Sequence, residues 1–224
     1  MESSFWQTLW LTFQLAGATT LILLVLGIPL AYGLSKSQSR AKPLAEALIS
    51  MPLVLPPTVL GFYLLLAFSP SSALGAWLSE TAGLKLVFTF SGLVAGSVIY
   101  SLPFMVQPLQ SGFENLPRHL AEASYSLGKS RWETLIKVEL PNIKPALLTG
   151  IVLAFAHTVG EFGVILMIGG NIPGQTRVAS IAIYDEVEAM NYGLANQYAL
   201  AMVAFAFTIL AAVYLINRRM LRTA

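Results

Sequence analysis

The chain has 224 residues, of which 56% are hydrophobic and only 11% charged, with a mean hydropathy of +0.70. Soluble domains carry about 25% charged residues, so this composition excludes an ordinary soluble fold and points to helices in lipid. The net charge of +2 calls for no nucleic-acid partner, and the absence of cysteine excludes disulfides and thiolate metal sites.

An α-helix rises 1.5 Å per residue, so about 20 apolar residues cross the hydrocarbon of a bilayer. Five stretches reach that length, at about residues 8–34, 46–68, 88–110, 143–168 and 197–216. A chain this short has too little mass to hide five such helices from water. The expected fold class is all-α, a polytopic helical membrane protein of about five to six spans in a single domain over residues 1–224.

The first stretch has no Lys or Arg before Lys36 and is longer than a signal core, so a retained span is expected. Pro29 sits late in it. The second contains Pro52, Pro56 and Pro57, and each proline removes a donor and crowds the preceding turn. Residues 51–61 therefore cannot hold an unbroken helical ladder. Irregular backbone at membrane depth survives only where protein or a water-filled cavity covers it. Two readings stand: a kink that fits a neighbour, or a bend lining a path, with Pro56 and Pro57 as pathway or gate candidates. The third stretch carries Gly92-Leu-Val-Ala-Gly96, a small-residue pattern that lets helices approach.

Residues 122–141 form a polar insert between two apolar stretches. Pro117 suits a helix's first turn, residues 120–127 are helix-compatible, and Gly128 supplies a left-handed terminus. Ser130-Arg-Trp-Glu133 matches a capping box that starts a second helix, running to about residue 138. Pro141 then restarts the chain into the fourth stretch. The expected product is a rigid helix–turn–helix. Gly128-Lys129-Ser130 looks like the tail of a phosphate-binding loop, but that loop needs glycine where Ala123 stands, and a preceding strand. The chain is not expected to bind nucleotide itself.

The fourth stretch holds Glu161 within His157-Thr-Val-Gly-Glu-Phe-Gly163. An intramembrane acid is expensive, so it signals function by default. Continuous helix would place His157 on the same face as Glu161. A structural brace, a gate or pathway role shared with Gly163, and a proton relay with His157 all remain open. Residues 169–174 are a turn signal, and residues 176–190 read as an amphipathic helix that lies in the interface or dips into the bundle.

Eleven of the thirteen Lys and Arg fall on one side of these spans: Lys36, Arg40, Lys42, Arg118, Lys129, Arg131, Lys137, Lys144, Arg218, Arg219 and Arg222. Only Lys85 and Arg177 fall on the other. The crowded side is expected to be cytoplasmic, with the amino terminus outside and the carboxyl terminus inside.

The insert resembles the signature of the permease subunits of ATP-binding-cassette importers: Glu-Ala-Ala, three residues, Gly, nine residues, Ile-x-Leu-Pro. Here Glu122-Ala123-Ser124, Gly128 and Val138-Glu139-Leu140-Pro141 keep that spacing, with Ser124 for the third Ala and Val138 for Ile. The resemblance implies a type I importer permease fold whose segment at about 115–141 is a cytoplasmic coupling helix seated in a cleft of the ATPase. It assigns ATPase coupling to Glu122, Ala123, Ser124, Gly128, Arg131, Leu140 and Pro141.

Met51-Pro-Leu-Val-Leu-Pro-Pro57, Gly160-Glu-Phe-Gly163 and Gly170-Asn-Ile-Pro-Gly-Gln-Thr-Arg177 narrow the resemblance to molybdate/tungstate permeases. Sulfate permeases share Gly-Glu-Phe-Gly, while the run from Asn171 to Arg177 favours molybdate. The resemblance implies an inner-membrane transport subunit of a prokaryote, with no enzymatic activity and no cofactor or metal of its own. Its partners would be two ATPase subunits, a second permease chain as a homodimer, a periplasmic or lipid-anchored molybdate-binding protein, and membrane lipid. Alternating access would be driven through the coupling segment.

Span interiors carry no Lys or Arg, and an ionised Glu161 would repel an anion. Selectivity is therefore expected to reside mainly in the binding protein, with no tight anion site in the permease. The alternatives are a sulfate/thiosulfate permease and an autonomous secondary transporter. The latter class often shows paired broken repeats, which this sequence lacks in any convincing form. A membrane-embedded enzyme fits least, because the only two histidines, His119 and His157, fall on different segments.

Overall fold

A computed structural model describes residues 2–220, and all its regular elements there are helical. In chain order they are α1 (Glu2–Lys36), α2 (Lys42–Ser50) with a 3₁₀ turn (Met51–Leu53), α3 (Pro57–Phe68), α4 (Ala73–Ala82) and α5 (Phe90–Glu114). Then follow α6 (Arg118–Ser126), α7 (Arg131–Thr134), a π-helical segment (Leu135–Glu139), α8 (Leu140–Asn142), α9 (Lys144–Gly160), α10 (Gly163–Gly169), α11 (Ala179–Glu188) and α12 (Tyr192–Met220).

Among the described residues, three helices are long and apolar enough to cross a bilayer unaided: α1, α5 and α12. They contain the first and fifth expected stretches and most of the third. Pro29 in α1 and Pro103 and Pro108 in α5 do not end their helices. α1 packs along α5 and α9 around a core of Leu23, Ala31, Met105, Val106, Leu109, Phe113 and Ala154. Leu15 clusters with Leu93, and further on Gly27 faces Met105, so α1 and α5 run in the same direction.

The second stretch is not one continuous span. Residues Lys42–Leu53 meet α3 at 107°. Pro52 is the second residue of the 3₁₀ turn, Pro56 takes an extended conformation (φ −54°, ψ 134°), and Pro57 begins α3, where a missing N–H costs no intrahelical bond. α2 is held to α5 by a polar seam. Lys42 lies 2.8 Å from Glu114, Gln110 donates to Glu46 at 2.5 Å, and Gln107 donates to the Ser50 hydroxyl at 3.0 Å. Spacings of four residues on α2 and of three and four on α5 put these groups on facing stripes.

The fourth stretch is also divided. α9 ends at Gly160, Glu161 and Phe162 lie outside any helix, and α10 continues from Gly163. α10 packs between α3 and α5. A Cβ on Gly96 would lie 2.6 Å from Ile168, so the Gly92–Gly96 pattern serves the close approach of α10 to α5.

α11 spans ten residues, about 15 Å, too short to cross a bilayer. Its apolar face dips into the bundle end: Ala179, Ile181 and Ala182 are buried, and the Ala179 amide donates to the Thr12 hydroxyl at 2.9 Å. Of the residues on which the charge asymmetry rests, Arg222 lies outside the described residues.

Candidate functional site

Two places carry the residues singled out by sequence: the hairpin at residues 118–142 and the break at Glu161.

In the hairpin, Pro117 precedes α6 with an extended backbone (φ −60°, ψ 127°), one position before the expected first turn. The helix closes with the Leu127 amide donating to Ala123, Gly128 to Tyr125 and Lys129 to Ser124, at 3.2, 2.9 and 3.2 Å. This closure turns on Gly128, whose φ of +77° lies in the left-handed region. The capping box is present: Glu133 N–H donates to Ser130 Oγ at 3.2 Å, and Ser130 N–H to Glu133 Oε2 at 3.4 Å. Lys137, the Ser130 amide and Lys129 all donate to the Glu133 carboxyl and hold it below the usual carboxylate range.

The second helix runs past residue 138. α7 widens into the π-helical turn at Leu135–Glu139 and tightens again in α8, so Pro141 lies inside the hairpin and does not restart the span. The wide turn lies directly before Pro141, whose missing N–H would interrupt a regular ladder. The restart falls at Ile143 and Pro145, where Arg131–Asn142 meets α9 at 79°.

Ser124, the departure from the Glu-Ala-Ala pattern, has a structural reason. Its hydroxyl lies 2.8 Å from Thr134 Oγ1, with both residues buried, and this bond ties the two arms together. Ser124→Ala orphans Thr134, so it is expected to cost about 1–3 kcal/mol. A lower Tm of the detergent-solubilised protein, reversed by Ser124→Thr, checks this.

Glu122, Ala123, Gly128, Arg131 and Pro141 are exposed, while Leu140 is half-buried against the core. Glu122 and Arg131 line a cavity of about 740 Å³ with Arg118, Tyr125, Lys36 and Lys42. Leu127, Trp132 and Ile136 are 80%, 69% and 59% exposed, an apolar set on a polar element, as a docking face requires.

Sequence reasoning missed Glu139. It is 1% exposed and receives Lys36 Nζ at 2.6 Å. The available signal was a carboxylate inside the apolar Val-x-Leu-Pro element. Breaking a buried pair by removing one partner costs about 3–5 kcal/mol in general, and the 45% exposure of the Lys36 side chain reduces that figure here.

At the break, Glu161 caps α9 in extended conformation (φ −69°, ψ 139°) and is 4% exposed. Neither carboxylate oxygen has a hydrogen-bond partner among the described residues. Its carbonyl accepts from Ser180 Oγ at 2.5 Å, which latches α11 onto the break. The relay geometry with His157 is not formed. Glu161 has left the helix, and His157 Nδ1 lies 2.9 Å from Ser101 Oγ with its ring stacked on Phe104 at 4.0 Å.

Gly163 and Pro57 are brought together, since a Cβ on Gly163 would lie 2.6 Å from Pro57 Cβ. Pro56 adjoins them as the residue before α3. The run from Gly170 to Arg177 closes the following loop. Thr176 Oγ1 donates to the Gly169 carbonyl at 2.7 Å, and Arg177 binds Asp185 and Glu186, each at 2.9 Å. Arg177 is thus committed to α11.

Comparison with known proteins agrees with this architecture. Residues 23–222 match the family model of the binding-protein-dependent transport system inner membrane component. The chain is 50% identical over 205 residues to the molybdenum transport system permease protein ModB of Azotobacter vinelandii, covering 91% of this chain and 90% of that one. It is 34% identical over 201 residues to a probable sulfate transport system permease protein, cysT, of Chlorella vulgaris, covering 89% and 75%. Among solved structures, a bacterial ABC transporter involved in import of the acidic polysaccharide alginate superposes with a TM-score of 0.79 at 16% identity, over 96% of this chain and 79% of that one. At that identity the likeness speaks for the fold. The chain belongs to the family of binding-protein-dependent transport system inner membrane components.

Proposed function

We propose that this chain is the membrane-spanning permease of an ATP-driven importer for molybdate or tungstate. The observation that carries this reading is the hairpin at residues 118–142, a rigid polar element with an exposed apolar set, fused at 79° to α9. The 50% identity to a molybdenum permease favours molybdate over sulfate. An ATPase subunit docks on Glu122, Ala123, Ser124, Gly128, Arg131, Leu140 and Pro141, and this chain holds no nucleotide site of its own. Two permease chains form the pathway with two ATPase subunits, and a periplasmic or lipid-anchored binding protein delivers the anion. The basic end of the bundle faces the cytoplasm, which places the amino terminus outside.

In this reading, closure of the ATPase pair draws the hairpins together. The angled junction turns that motion into rotation of α9, and the break at Glu161 lets α10 and α3 respond separately. Pro56, Pro57, Glu161 and Gly163 form the yielding part of the pathway.

The test is uptake into vesicles holding this chain, its ATPase partner and the binding protein. Import of molybdate that requires ATP and resists a large excess of sulfate is expected. Equal competition by sulfate would replace the substrate, and transport by this chain without the ATPase would overturn the mechanism.

A further inference from the structure

The hairpin is attached along the chain at two places, through residues 115–117 to α5 and through Ile143 to α9. α1 has no such attachment, although it packs along both of those helices. The end of α1 and α6 line a shared cavity of about 740 Å³, with Tyr32 of α1 and Tyr125 of α6 both on its wall. The charged link from the hairpin to α1 is Glu139. Its Oε1 accepts from Lys36 Nζ at 2.6 Å, its Oε2 has no partner among the described residues, and the Lys36 ammonium lies 5.5 Å from the centre of the Tyr32 ring. Among the described residues this is the one ion pair between the hairpin and α1.

The placement of the two charges says how the pair behaves during a stroke. Glu139 is almost wholly buried, while Lys36 reaches it from the last turn of α1. Separating them would leave an uncompensated carboxylate in a site that water hardly enters. Apolar contacts beside the pair, such as Leu135 in the cluster that holds Leu23 and Ala31, allow sliding at low cost, whereas a short charged bond does not. Resting on the permease reading above, we propose that Lys36 and Glu139 are positioning residues that lock α1 to the coupling hairpin. The lock stays closed through the transport cycle, and α1 travels with the hairpin.

The experiment uses the complete complex in vesicles and measures anion imported per ATP hydrolysed, together with assembly. The variants are Lys36→Met, Glu139→Met, the double Lys36→Met/Glu139→Met, the exchange Lys36→Glu/Glu139→Lys, and Lys36→Arg. The neutral double leaves no charge to bury alone, so it is expected to assemble and hydrolyse ATP like the unaltered complex while importing about tenfold less anion per ATP. Lys36→Arg preserves the pair and is expected to keep the ratio, and the exchange to recover most of it. A neutral double whose ratio stays within about twofold of the unaltered complex overturns the proposal, as does loss of the ratio in an assembled Lys36→Arg variant. If the unaltered complex shows no ATP-driven uptake, the permease reading itself fails, and that outcome is distinct from either.

Discussion

Gly128→Val is expected to abolish ATP-driven uptake, whereas Gly128→Asn is expected to retain most of it. The contrast follows from one dihedral angle. Gly128 has φ +77°, and a Cβ built there meets nothing within 4 Å. Crowding therefore plays no part, and the whole effect is backbone strain. A left-handed conformation costs an ordinary L-residue roughly 1–2 kcal/mol, and a β-branched side chain is the worst case. Asn tolerates that region because its short polar side chain bonds locally.

The strain falls on a structure with few ways to absorb it. The amides of Leu127, Gly128 and Lys129 are committed to α6 carbonyls, and Ser130 is committed to the capping box of α7. Relieving φ at residue 128 would break one of these or pull Ser124 from Thr134. The arms of the hairpin would then lose their fixed relation, and the docking face with it. Uptake and co-purification of the ATPase, measured side by side for Val and Asn, check this. Equal uptake by the two variants would show that the left-handed turn is dispensable.

Much of this hairpin was legible in advance because its determinants are local. A left-handed glycine and a Ser-x-x-Glu box each act over a few residues, and each reappears in the structure. What escaped was non-local or non-standard. The π-helical turn at Leu135–Glu139 moved the restart from Pro141 to Ile143, and apolar periodicity carries no mark of a single wide turn. The Lys36–Glu139 pair joins residues 103 apart, beyond any local pattern. Glu161 was recognised by its cost in lipid, but its supposed partner was not. The relay with His157, one of the readings left open, needed helix to continue past Gly160 to Glu161, and α9 ends at Gly160. The bend in the second stretch was legible from its three prolines, while its size of 107° depends on how α3 seats against α10.

That seat carries the second large expectation, in which Gly163→Ala loses most transport while Gly160→Ala, three residues away, leaves it near normal. Both glycines flank Glu161, and Gly163 alone is named from sequence as a pathway or gate candidate, without a steric reason to prefer it. In the structure a Cβ on Gly160 would meet nothing within 4 Å, whereas one on Gly163 would lie 2.6 Å from Pro57 Cβ and 3.3 Å from the Thr58 amide nitrogen. A proline ring at the start of a helix is not a flexible side-chain end, so α10 or α3 must move. Overpacking of this kind costs about 1–3 kcal/mol in general. The displacement would fall at the junction where α3 follows its 107° bend and α10 follows the break. The ATPase and the hairpin lie elsewhere in the chain, so Gly163→Ala is expected to assemble with its ATPase and hydrolyse ATP while importing little anion. Uptake and hydrolysis measured on the same vesicles separate the cases. Normal uptake by Gly163→Ala would remove the α3–α10 contact from the pathway, and loss of hydrolysis along with uptake would mean that the contact serves assembly.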